Sequence, residues 1–139
     1  MIRLPFWYPP ILAYHRVAED LERETPTLSP ETFARQMFLL KKQANPISMT
    51  QLVDSLERNL PIPPQSVVVT FDDGTEDHFT HAFPILQRHR IPAIIFAITD
   101  HVGQPTALNP DQMRQMHETG IEFGSHTLGH AYLPPLPST

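Results

Sequence analysis

The chain has 139 residues, 40% of them hydrophobic, which suits one ordinary domain with its own core, so residues 1–139 are read as a single domain. A formal net charge of −5 with no basic cluster leaves no electrostatic footprint for nucleic acid or for an anionic membrane surface. There is no cysteine, which excludes disulfides and thiolate metal ligands, and no apolar run approaches membrane-spanning length.

Pro5, Pro9 and Pro10 interrupt any signal-peptide core in the first ten residues, so nothing there directs export and the compartment is cytoplasmic only by default. Ile11 to Tyr14 reads as a first strand with His15 at its carboxyl end. Residues 18 to 28 are charged and carry Pro26, as a surface loop would. Ser29-Pro30-Glu31 then opens a helix with an N-cap, a first-turn proline and an early acid, and Phe33, Met37, Leu40 and Ala44 follow as a core-facing stripe. Thr50 to Arg58 is a second helix, with Leu52, Val53 and Leu56 on its buried side. This two-helix stretch is too short for a separate domain and reads as a crossover.

Val67, Val68, Val69 and Phe71 form an apolar, mostly β-branched run of the kind covered on both faces in a parallel sheet. After Gly74, Phe79, Phe83 and Leu86 suggest a helix that Pro84 kinks or breaks. His78, His81 and His89 fall on or beside it and read as solvated face residues. Pro92 to Ile98 is the next strand. Asn109-Pro110-Asp111 caps a helix that runs through Met113 and Met116, both core filler, to Gly120 in the C-terminal cap position. Ile121 to Phe123 makes a fourth strand. Strands alternating with helices predict an α/β fold with a parallel sheet and right-handed crossovers.

Two stretches carry chemistry. The strand from Ser66 ends in Asp72, Asp73 and Gly74, and in α/β folds reactive groups sit just past carboxyl strand ends. Neighbouring strand residues point to opposite sides, so one carboxylate can bind a cation while the other carries a proton. The competing reading is a polar turn with a helix-capping aspartate. The second stretch, Gly124 to His130, places His126 and His130 four apart, on one face if the segment is a helical turn. Asp73 would make a third ligand, and two histidines with one carboxylate leave open positions for water and substrate, the layout of a catalytic metal site. The competing reading is a solvent-exposed pair, for the chain has eight histidines. Asp73 and His126 both lie at carboxyl strand ends and so on one rim.

Together, Thr70-Phe71-Asp72-Asp73-Gly74 and Ser125-His126-Thr127-Leu128-Gly129-His130 resemble the first two motifs of the NodB-type polysaccharide deacetylases, carbohydrate esterase family four. Leu12-Ala13-Tyr14-His15-Arg16-Val17 and Ala82-Phe83-Pro84-Ile85-Leu86, leading to Ile91-Pro92-Ala93, extend the similarity over nearly the whole chain in the family's order. The resemblance implies a distorted, parallel-strand (β/α) barrel-like fold, here truncated to about its N-terminal half. Pro134 to Thr139 then reads as a stop, and an open sheet edge predicts self-association, instability or aggregation.

The resemblance also implies a metal-dependent hydrolase that removes N-acetyl groups from a polysaccharide. Asp73, His126 and His130 would hold a divalent ion, zinc first, with cobalt, nickel or iron compatible with the same donors. Asp72 would be the general base and a backbone N–H near Thr75 would meet the oxyanion. His15 would line the same mouth, or else be an ordinary hydrogen-bonded histidine. The family's general acid is a histidine of a late motif with no counterpart here, and Thr75 and Ala131 stand where the family usually has proline. Three readings stay open: a deacetylase of N-acetylated polysaccharide, a non-catalytic metal- or carbohydrate-binding remnant of that family, and a structural domain in which Asp73, His126 and His130 never meet.

Overall fold

The computed structural model describes residues 8–20 and 25–131, so the expectations for most of the proline-rich lead and for the tail from Pro134 lie outside it. In chain order the first half contains β1 (Ile11–Tyr14), β2 (Arg16–Val17), β3 (Thr27–Leu28), α1 (Pro30–Gln43), β4 (Asn45–Pro46) and α2 (Met49–Glu57). The second half contains β5 (Ser66–Asp73), a π-helical turn (His78–Ala82), α3 (Phe83–His89), β6 (Ile94–Ala97), a 3-10 turn (Thr99–His101), α4 (Pro110–Glu118) and β7 (Glu122–Ser125). No helix among the described residues is long and apolar enough to cross a membrane.

The predicted four-strand parallel sheet is present, in the order β1-β5-β6-β7, and β4 adds a short parallel pairing to the start of β5. Strand β5 is central because Ser66 to Phe71 are all buried, as a strand covered on both faces must be. Its alternation divides the core. Val69 and Phe71 join Phe33 and Met37 of α1, Phe83 and Leu86 of α3, and Met116 of α4 in the larger cluster. Val68 packs with Ile47 and Leu52 in a smaller one. Tyr14, Phe33 and Phe71 meet with ring centroids 5.2–5.7 Å apart.

The helix starts follow their caps. Ser29 Oγ accepts the Thr32 N–H, and Asn109 Oδ1 accepts the N–H groups of Asp111 and Gln112. Ser48 and Gln51 form a reciprocal capping box on α2, and Glu122 of β7 also accepts the Met49 and Thr50 N–H groups at 2.9 and 3.2 Å. Gly120, at φ 100°, follows the end of α4 as expected.

Four expectations need correction. Residues 18–28 are not all loop: Thr27–Leu28 pairs with Arg16–Val17, and Ala18 is buried because its N–H bonds the Leu28 carbonyl beside the core residue Val17. On α2 only Leu52 is buried; Val53 and Leu56 are 41% and 51% exposed, since the helix meets the sheet along a single narrow line. The crossover contains β4 as well as two helices. The break expected at Pro84 lies just before it, as the π-helical turn, and Pro84 itself sits in the first turn of α3.

Candidate metal centre

Strand β5 delivers Asp72 and Asp73 to the carboxyl rim. Regular alternation would send Asp73 to the Val69–Phe71 side, into packed core. Instead Asp73 has φ 73°, and the Gly74 N–H bonds back to the Asp72 carbonyl at 3.0 Å, a γ-turn centred on Asp73. A left-handed aspartate is strained backbone, and strain of this kind concentrates at functional sites. Gly74 is also left-handed, and a Cβ there would lie 2.7 Å from the Ala97 Cβ, so only glycine lets the turn close against β6.

The histidines come from the adjacent strand end. The His126 N–H bonds the Ala97 carbonyl at 2.8 Å, tying the end of β7 to the end of β6. The loop beyond is not helical: Thr127 and His130 are left-handed at φ 65° and 53°. It is held by the N–H groups of Thr99 and Asp100, which bond the Thr127 and Leu128 carbonyls at 3.2 and 2.9 Å. The two imidazoles therefore converge through a turn, not through a helical repeat, with ring centroids 5.1 Å apart.

Asp73 Oδ1 lies 3.6 Å from His126 Nε2 and 3.5 Å from His130 Nε2. Those separations are too long for hydrogen bonds and close to the ~3.4 Å edge expected between ligand atoms about 2.1 Å from one tetrahedral ion. One ligand atom from each residue lies within 4.8 Å of the others. Asp73 Oδ1 is buried and has no hydrogen-bond partner among the described residues, a costly state for a carboxylate oxygen unless a cation meets it. The donor set fits a divalent ion of the zinc type, and the open side is real, since His130 is 58% exposed.

Asp72 points elsewhere on the rim, with Oδ2 3.8 Å from His15 Nε2. Thr75 forms an antiparallel bridge with Ala107, but the bonds are made by Glu76 N–H to Thr106 and Leu108 N–H to Gly74, so the Thr75 N–H points away from the bridge. A cavity of about 300 Å³ beside it is lined by Arg16, Thr25, Asp73, Thr75, Asp77 and Thr106. A second cavity, of about 390 Å³, lies at the other end of the strands around Ile91 and Ile121, and no carboxylate or histidine lines it.

Sequence reasoning missed Asp77 and misplaced His78. Asp77 accepts the Val17 N–H at 2.7 Å and the Arg16 Nε–H at 3.4 Å. His78, expected in solvent, is fully buried against Phe71 because the π-helical turn folds it under the β5 rim. Burial pushes its imidazole below the ordinary value of 6.5, countered in part by a hydrogen bond to the His15 carbonyl and by Asp77, Asp73 and Asp72. No spacing in the sequence signals this; a π turn is visible only once the loop after Gly74 has closed.

Comparison with known proteins identifies the family. Residues 60–139 match the family described as polysaccharide deacetylase. YxkH of Bacillus subtilis is 30% identical over 130 residues, 89% of this chain and 44% of that protein. A Staphylococcus aureus poly-beta-1,6-N-acetyl-D-glucosamine N-deacetylase is 41% identical over 71 residues, 47% of this chain and 24% of that protein. Among solved structures, the Streptococcus pyogenes deacetylase PplD in complex with acetate superposes with a TM-score of 0.80 at 28% identity, covering 88% of this chain and 57% of that one. IcaB from Ammonifex degensii superposes with a TM-score of 0.80 at 30% identity, covering 90% and 55%. The chain thus spans less than half of YxkH and a little over half of each solved chain.

Proposed function

Since the chain belongs to the polysaccharide deacetylase family, we propose that residues 1–139 form part of one metal-dependent deacetylase domain acting on the N-acetyl groups of a polysaccharide. Asp73, His126 and His130 hold a divalent ion, zinc first. The observation that carries this reading is the buried, unpartnered Asp73 Oδ1 facing both Nε2 atoms at 3.5–3.6 Å. An ion held there supplies Lewis-acid polarisation of the acetyl carbonyl and acidifies water.

The chain's own groups do the rest. Asp72 accepts a proton from the attacking water. The water oxygen bonds to the acetyl carbon, and the Thr75 N–H donates to the developing oxyanion. The C–N bond breaks as the proton that Asp72 took from the water passes to the leaving nitrogen, and acetate and the free amine depart. His15, next to Asp72, borders the substrate, and the cavity around Arg16, Thr75 and Thr106 accepts polar groups of the sugar. Of the polymers that fit, poly-β-1,6-N-acetylglucosamine is the first to test, because the Staphylococcus aureus relative carries that substrate in its name.

The test measures bound metal in the parent, Asp73→Asn and His130→Ala proteins, then acetate release from N-acetylated β-1,6-glucosamine oligomers and chito-oligosaccharides. One equivalent of metal in the parent, lost in both variants, with acetate released only by the parent, is the expected result. Equal metal in all three proteins overturns the ligand assignment. Full metal without acetate release from either substrate overturns the deacetylase reading for this chain and leaves a metal-binding relative of the family.

A further inference from the structure

The pairing of β1 with β5 ends at Tyr14 and Phe71, one residue before His15 comes alongside Asp72. The sheet ladder therefore stops short of holding His15. Two consecutive residues at the start of the π-helical turn take over: His78 Nε2, on its first residue, contacts the His15 carbonyl, and the carboxylate of Asp77, just before it, accepts the Val17 N–H at 2.7 Å. Between them they hold the backbone on both sides of Arg16, whose Nε–H also reaches Asp77.

The chemistry of His78 is constrained. A carbonyl oxygen only accepts, so Nε2 carries the proton; Thr75 Oγ1 lies 3.2 Å from the same nitrogen. Nδ1 is then a bare acceptor, buried, with no partner among the described residues. An imidazolium would place a second N–H in that unpartnered position, so the ring stays neutral. A fully buried histidine with one nitrogen unsatisfied is a costly core residue, and a leucine of similar bulk would pack against Phe71 without that cost. What the histidine adds is the single bond to His15, together with the contact to the Thr75 turn.

We propose that His78 is a positioning residue: as the neutral Nε2–H tautomer it clamps the His15 carbonyl to the Asp72–Thr75 turn and so keeps the His15 imidazole against Asp72. The proposal builds on the reading of Asp72 as general base, but its central test needs neither metal nor turnover.

That test is solution NMR on the metal-free 139-residue chain. Long-range ¹H–¹⁵N correlations on the parent report the His78 tautomer, and the Nε2–H form is expected; an Nδ1–H form overturns the proposal without any substitution. The second arm follows the His15 ring-proton resonance on adding Asp72→Asn. The displacement should be present in the parent and in His78→Gln, whose amide N–H can replace the Nε2 donor, and should be lost in His78→Leu, which keeps the volume alone. A displacement undiminished in a folded His78→Leu protein overturns the clamp. Where acetate release is measurable, kcat of the His78→Leu protein should fall on the order of 10-fold with KM little changed and with recovery in His78→Gln. Failure of deacetylation in every protein bears on the proposed activity, whereas the two NMR arms decide the role of His78.

Discussion

Zinc should stabilise this protein through Asp73, and the size of the effect can be set in advance. A ligand that binds only the folded state, at one hundred times its dissociation constant, adds about 2.7 kcal/mol. An unfolding entropy of about 2.1 cal/mol/K per residue amounts to roughly 0.29 kcal/mol/K for 139 residues, so the melting temperature should rise by about 9 °C. Asp73→Asn is the informative substitution because asparagine tolerates the left-handed φ of 73°, whereas Asp73→Ala would add roughly 1–2 kcal/mol of backbone strain unrelated to metal. With the anionic ligand gone, the zinc-induced rise should shrink to within about 2 °C, while the metal-free melting temperature stays near that of the parent. Calorimetry or dye-monitored melting across a zinc series, with affinity from chelator competition, reads both quantities. An equal rise in parent and Asp73→Asn would mean that zinc binds other histidines, and the orphaned Oδ1 would then not mark a cation site.

Other perturbations probe the supports of the site. Gly74→Ala places a Cβ 2.7 Å from the Ala97 Cβ at a left-handed position; a loss of about 2–4 kcal/mol in urea unfolding, with weakened zinc binding, is expected, and a neutral result would refute the closeness of the β5 turn to β6. Glu122→Ala removes the carboxylate that accepts two N–H groups at the start of α2 and should cost about 1–2 kcal/mol without changing zinc affinity. For pH, His78 is held below 6.5 in the folded state, so the unfolded chain binds the extra proton; the stability is fully present above about pH 6.5 and is lost below it, by at most about 1.4 kcal/mol per pH unit. Metal-free His78→Gln should show a flatter fall between pH 6.5 and lower values than the parent, and parallel curves would contradict the burial of a neutral imidazole. The outer edges of β1 and β7 bound the described sheet, and Ile11 on β1 is 52% exposed, so sedimentation across a concentration series should show self-association; a monomer throughout would remove the open-edge argument.

The local chemistry of the chain determined a good deal. The Val67–Phe71 run reads as a strand covered on both faces, Ser29 and Asn109 cap their helices as their side-chain oxygens dictate, and Asp72, Asp73, His126 and His130 are singled out by two short motifs taken together, each of which alone has a plainer reading as a polar turn or an exposed histidine pair. These features depend on residues close in sequence, so their signals survive without the fold. What only the tertiary structure decided depends on backbone closure between distant segments. The γ-turn at Asp73, the left-handed Thr127 and His130, and the bonds from the Thr99–His101 turn bring Asp73 Oδ1 and the two Nε2 atoms together in place of the helical repeat that the spacing suggested. Val53 and Leu56 look like core in a helical pattern, yet burial requires an opposing surface, and α2 meets one through Met49 and Leu52. His78 is the sharpest case. Nothing near it in sequence distinguishes it from His81 or His89, and its burial, tautomer and hold on His15 arise only when the π turn folds against β5 and a carbonyl sixty-three residues away becomes its partner.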